Sequence, residues 1–156
     1  MGVKYSAGNL SKVVMLRVLP GSDIIEGIEE TCRDLHINGG AITCCIGSLQ
    51  RASFLIAVPL NNKIGAGYSE PKTVDGPLEF LSAQGMIGEE KDGGLFVHLH
   101  GILSDKNGDV CGGHLIRGGN PVLITCEIMI STVEGIRMKR RYDPETEMKL
   151  LIPSGQ

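Results

Sequence analysis

The hydrophobic period of this chain changes once, and that change restricts the fold more than any other feature. Ile24, Ile25, Ile28, Cys32 and Leu35 recur at helical spacing and make one apolar stripe. Asp23 stands where a helix N-cap belongs, and Glu26, three residues on, would complete a capping box. Asn38-Gly39-Gly40 should stop the helix near His36. Beyond the glycines the period falls to two, or to unbroken β-type runs. Segments 41–48 and 51–58 read as two strands with a tight connection. Further strands are expected at about 77–87, 94–103, 109–117, 121–133 and 135–142, with Gly, Pro, Asp and Asn turns between them. A first strand, 12–19, precedes the helix. Residues 59–76 read as a long loop, of the kind that is functional or mobile. One main helix packed on a mostly antiparallel sheet is an α+β (α/β) arrangement, and 156 residues suit a single domain with one core.

The composition excludes several classes. With 42% hydrophobic and 21% charged residues the chain is ordinary for a globular domain. No run of 18 apolar residues predicts a membrane span, and the first residues lack the apolar core of a secretory leader, so a cytoplasmic location is expected. The five cysteines, Cys32, Cys44, Cys45, Cys111 and Cys126, form no C-x-x-C motif and read as reduced, mostly buried thiols. Cys44 and Cys45 are adjacent, so on a strand they point to opposite faces. A net charge of −3 counts against nucleic acid as a partner. The exception is Arg137-Met-Lys139-Arg140-Arg141, read as a solvated edge strand whose charges oppose aggregation.

The chemistry is concentrated in one stretch. His98 and His100 are two residues apart on a predicted strand, so they project from the same face about 6.5–7 Å apart. Whether His114 joins them depends on the turn between the strands. A two-residue loop at Asn107-Gly108 would place Gly101 opposite His114 and turn His114 away. A three-residue loop, Lys106 to Gly108, sets Asp109 opposite Asp105 and His114 opposite His100. Asp at the first turn position and Gly at the fourth favour the second register. Gly112-Gly113 would add a bulge or admit a close backbone approach. Three neutral imidazoles leave a tetrahedral ion one open position, the pattern of a catalytic rather than a structural site. Zinc suits such a donor set, with iron, nickel and cobalt as alternatives. Glu79, a carboxylate among apolar neighbours, either points to solvent or serves the site. His36 is assigned to the helix end, where it can offset the helix dipole.

These residues resemble the PPC, or "plants and prokaryotes conserved", domain over roughly residues 10–145. The resemblance is carried by Leu16-Arg-Val-Leu-Pro-Gly-Ser-Asp23, Gly76-Pro-Leu-Glu79-Phe-Leu-Ser82, His98-Leu-His100-Gly-Ile-Leu-Ser-Asp-Lys-Asn-Gly108 and Gly112-Gly113-His114. It implies one domain over 1–156, assembled as a homotrimer. It also implies a metal held by the H-x-H…H pattern of stand-alone prokaryotic members. Plant members carry the domain after AT-hook segments that bind DNA, but this chain has no Arg-Gly-Arg-Pro core. The fold is also similar to that of acetolactate decarboxylase, a three-histidine metal enzyme in which glutamate and arginine assist. Glu79 and Arg117 are the corresponding helper candidates here. The resulting expectation is a homotrimeric zinc protein that handles a small oxygenated molecule. The alternatives are a DNA-associated regulatory protein with a structural or vestigial metal, and a plain assembly domain.

Overall fold

In the computed structural model, which describes residues 2–155, the apolar stripe forms helix α1, Ile24–Asp34. Asp23 caps it, with Oδ1 accepting the amides of Ile25 and Glu26 at 3.0 and 3.1 Å. Glu26 does not complete the box. Its carboxylate pairs instead with Arg117 Nη1 at 2.8 Å. The helix ends before the glycines. Leu35 is the C-cap and His36 takes a positive φ of 55°. Ile37 N–H donates to Cys32 O at 2.8 Å, and His36 N–H to Arg33 O at 3.2 Å. That is a Schellman motif with histidine in the left-handed position where glycine is usual.

Strand β1 (Asn9–Val18) precedes the helix. After it come β2 (Gly40–Leu55), the short β3 (Ala57–Pro59) and β4 (Ala66–Tyr68), β5 (Lys72–Glu89), β6 (Leu95–Ser104), β7 (Val110–Leu115), β8 (Val122–Glu134), β9 (Ile136–Asp143) and β10 (Met148–Gly155). Three expectations need correction. Segments 41–48 and 51–58 belong to one strand, β2. Its polar interruption is a register shift between Leu49 and Arg51, where Gln50 N–H leaves the ladder for Pro121 O at 2.9 Å. The long loop is shorter than 59–76, because β3 pairs with β4 and β5 begins at Lys72. The basic run is not an edge strand. It forms β9, which β10 covers along its length, from Met148↔Asp143 to Gly155↔Ile136. Pro153 obscured β10 in the sequence, but an outermost strand is where a missing amide costs no ladder bond.

The main sheet has the order β1-β8-β2-β7-β6-β5-β9-β10, and β2 also pairs with β5. All ladders are antiparallel except one contact, Glu89↔Lys139. This gives an α+β fold. Strand β2 pairs with β5 on one edge, and with β8 and then β7 on the other. Strands β2, β5, β6 and β7 therefore close on themselves. Phe54, Phe80, Leu99, Leu103 and Leu115 from these strands join Ile24, Ile28 and Cys32 of α1 in one buried core.

The other face of the sheet is open. Pairing carries one row of side chains across it: Val13, Ser131, Ala41, Met86 and His98. On this side Val13, Met15, Met86 and Ile102 are exposed. The run 121–130 is apolar enough to be covered on both faces. Within the protomer only the side carrying Cys126, Ile128 and Ile130 is buried, and Ile124 is 65% exposed.

Asn120, fully buried, ties helix to sheet. Its amide donates to Asp23 Oδ2 at 2.8 Å, and its side chain accepts from Ser53 N at 3.0 Å and donates to Ile116 O at 2.6 Å. Asp23→Ala removes the cap and leaves a buried amide without a partner. The expected loss is about 2–4 kcal/mol in urea unfolding, with Asp23→Asn, which keeps a capping oxygen, losing less.

Candidate metal centre

The β6–β7 turn forms in the three-residue register. Asp105 N–H donates to Asp109 O at 3.0 Å, Gly108 N–H to Asp105 O at 3.0 Å, and Gly108 has φ 85°. Asp105 Oδ1 accepts the amides of Asn107 and Asp109, and Oδ2 accepts Asn107 Nδ2. Those donors hold its carboxyl below the ordinary carboxylate range. From this turn the ladder runs without a shift to Gly101↔Gly113 and His100↔His114. Of the two roles open to Gly112-Gly113, close approach is the one realised. A Cβ on Gly113 would collide with the Leu55 carbonyl at the end of β2.

The three histidines therefore share the open face. His98 Nε2 lies 3.1 Å from His100 Nε2, and His100 Nε2 lies 3.3 Å from His114 Nδ1. One ligand atom from each lies within 4.8 Å of the others. Two nitrogens bound at about 2.05 Å to a tetrahedral ion stand about 3.3 Å apart. The spacing thus fits a first-row divalent ion. The donor set of three imidazoles, with no thiolate or carboxylate, suits the borderline metals. Burial, then the neighbouring imidazoles, then Arg140 push His98 below the ordinary histidine range. The same causes lower His114 to about 4. Both rings are thereby kept neutral, as ligands must be.

Two further side chains frame the site, and the sequence singled out neither for it. Tyr68, at the end of β4, places its hydroxyl 3.5 Å from His114 Nδ1, with ring centroids 5.0 Å apart. Part of the segment read as a loop does reach the histidines. Arg140 lies over the Phe96 ring, 4.1 Å from its centroid, and Phe96 is 6.3 Å from the His98 ring. Alternation along β9 could show only that Arg140 and Arg137 occupy opposite faces. The two helper candidates do not join the histidines. Arg117 is engaged by the helix, with Nε 3.0 Å from Glu29 Oε2 and Nη1 2.8 Å from Glu26 Oε1. Glu79 is exposed and pairs with Ser104, four residues along β6 from His100, about 13 Å of strand. His36 is engaged in the helix C-cap.

Residues 5–134 match the Plants and Prokaryotes Conserved (PCC) domain. The chain belongs to this family. It is similar to a metal-containing protein from Archaeoglobus fulgidus, at 28% identity and a TM-score of 0.81 over 96% of this chain and 99% of that one. It is also similar to a protein from Ralstonia eutropha JMP134 described provisionally as DNA-binding, at 26% identity and a TM-score of 0.72 over 88% of each chain. A bifunctional protein GlmU from Synechococcus sp. strain JA-3-3Ab is 31% identical over 135 residues, 86% of this PCC chain. The chain spans only about a fifth (19%) of the length of that relative. Among the described residues, no helix is long and apolar enough to cross a membrane.

The folded PCC chain holds His98 and His114 below the usual 6.5, so the unfolded chain binds more protons between the folded and unfolded values. Their contribution to stability is complete above about pH 6.5 and is lost as pH falls toward 4. Metal-free protein should show a urea midpoint that drops between pH 7 and 5.5. The drop should be smaller in His114→Gln, measured by circular dichroism.

Proposed function

We propose that this PCC-domain protein binds one divalent transition metal ion, with zinc preferred, through His98 Nε2, His100 Nε2 and His114 Nδ1, and uses it to engage a small oxygen-bearing molecule. The observation that carries this is the pair of nitrogen spacings, 3.1 and 3.3 Å, on one sheet face. The likeness to the metal-containing A. fulgidus protein supports it. Bound there, the metal would supply a Lewis acid with one position free. The chain's own groups do the rest. The β6–β7 ladder holds His100 and His114 in register, and Phe96 and Tyr68 flank the outer rings. A groove of about 530 Å³ beside His98 and His100, lined also by Ala41, Thr43, Gln84 and Met86, gives a small molecule access. The free thiols Cys32, Cys45 and Cys126 are buried, which suits a reducing cytoplasm.

The working form in this proposal is a homotrimer. The open face carries Met15, Val13, Met86 and Ile102, the last two beside the histidines, and apolar surface of that kind is normally covered by another chain. Protein purified without a histidine tag should contain about one metal per chain by elemental analysis, and should sediment as a trimer. His100→Ala should lose most of the metal while keeping its circular dichroism spectrum. An unchanged metal content in that variant would overturn the assignment.

The likeness to the R. eutropha protein favours a second reading, a DNA-associated module in which the metal is structural. The net charge of −3 weighs against it. So do the pairings of Lys139 with Glu89 at 3.6 Å and of Arg140 with Glu90 at 2.5 Å. Fluorescence anisotropy with duplex DNA at physiological salt should show no specific binding. A Kd near or below ~10⁻⁸ M would favour this second reading.

A further inference from the structure

Strand β2 ends at Leu55, which pairs with His114. One residue on, Ile56 is clamped to Ser69. Ser69 N–H donates to Ile56 O at 2.9 Å, and Ile56 N–H donates to Ser69 Oγ at 3.2 Å. The β3–β4 hairpin leaves from this clamp, with Ala57↔Tyr68 as its first pair. Toward its tip, Lys63 Nζ donates to Pro144 O at 2.7 Å. Tyr68 is therefore delivered beside His114 by a hairpin held at its base and near its tip. Its ring packs on the imidazole with centroids 5.0 Å apart, and its hydroxyl meets Nδ1 at 3.5 Å. Among the described residues the hydroxyl has no other hydrogen-bond partner. Tyr68 keeps 42% of its surface exposed, so a ligand arriving from solvent can meet it.

Nδ1 of His114 is one of the three atoms assigned to the metal. An acceptor ring nitrogen has a single lone pair, so Nδ1 can take the phenol hydrogen bond or bind an ion, not both. Binding an ion frees the phenol proton at the rim of the coordination shell, because 3.5 Å from Nδ1 is close to the ~3.3 Å between two atoms on one tetrahedral ion. The hydroxyl is not itself the fourth ligand. Such a ligand would stand ~3.3 Å from all three nitrogens, whereas Oη contacts only that of His114. The acceptor left for the proton is the atom in the ion's open position. We propose that Tyr68 selects the ligand class of this site: its hydroxyl donates to the atom at the open position, so the ligand presents an oxyanion there, a carboxylate, hydroxamate or enolate oxygen. Such an oxygen keeps a lone pair after giving one to the metal and accepts the hydrogen bond. An imidazole nitrogen has none left. The inference rests on the three-histidine metal reading above and adds the chemistry of what that metal engages.

The test uses the intact protein loaded with cobalt(II), whose visible absorption reports a change in coordination. Acetate, acetohydroxamate and imidazole are titrated into wild-type protein and into Tyr68→Phe, which removes the hydroxyl and keeps the ring. The variant should bind both oxygen probes about three- to tenfold more weakly, the worth of one partly exposed hydrogen bond to a charged acceptor. Its imidazole affinity should stay within about twofold of wild type, because that ligand offers the hydroxyl nothing to donate to. Cobalt content, the absorption spectrum without probes and the circular dichroism spectrum should be unchanged. Equal weakening of all three probes would reduce Tyr68 to a packing role and overturn the proposal, as would undiminished oxygen-probe binding in the variant. Lower cobalt affinity with an altered resting spectrum would make the hydroxyl a ligand and overturn it too. Wild-type protein that takes up no cobalt would overturn the metal reading and this one with it. One cobalt per chain with no response to acetate or acetohydroxamate would overturn this one alone.

Discussion

A single carboxylate sets the geometry on which the site depends. Asp105 accepts two backbone amides and one side-chain amide within its own turn, and Gly108 supplies the left-handed residue that a three-residue hairpin needs. Side chains on a strand alternate with a period of two. A loop shorter by one residue would therefore have sent His114 to the core face and left two imidazoles instead of three. Core packing enforces the same register. Leu99, Leu103 and Leu115 are buried only if their neighbours His98, His100 and His114 point the other way. The hydrophobic effect thus helps to hold the histidines on the open face.

The surroundings of the site then adjust its charge. Partial burial beside a guanidinium disfavours imidazolium in His98 and His114, which keeps lone pairs available. Tyr68 and Arg140 come from strands far apart in sequence and stand on opposite sides of the histidine row, one beside His114 and the other beyond His98. Three ring nitrogens define a place for a cation, and these two side chains flank the row that holds them.

The open sheet face gives the site its wider context. Closure of β2, β5, β6 and β7 around one side leaves the opposite side without a covering layer. The single helix is already committed to the core through Ile24, Ile28 and Cys32. Met86 and Ile102 are left on the surface beside the histidines, and Met15 farther along the same face. In the proposed homotrimer a neighbouring chain would cover this apolar area.

Local sequence alone determined the helix, its Asp23 cap, most of the strands and the convergence of His98, His100 and His114. Each of these follows from short-range rules: period, capping chemistry and turn length. Tertiary structure decided the rest. Residues 48–51 look like a turn, but a bulge there lets β2 continue, because β5 and β8 pair with it on both sides. Pro153 hides β10, which exists because β9 offers it an edge. Arg117 lies three residues beyond His114 and was a natural helper candidate, yet the helix carboxylates Glu26 and Glu29 capture it. Arg140 and Tyr68 reach the site only because distant strands are brought together. Side-chain alternation and turn chemistry act over a few residues and can be read along the chain. The partner of a charge is chosen by packing between segments that the sequence does not place side by side.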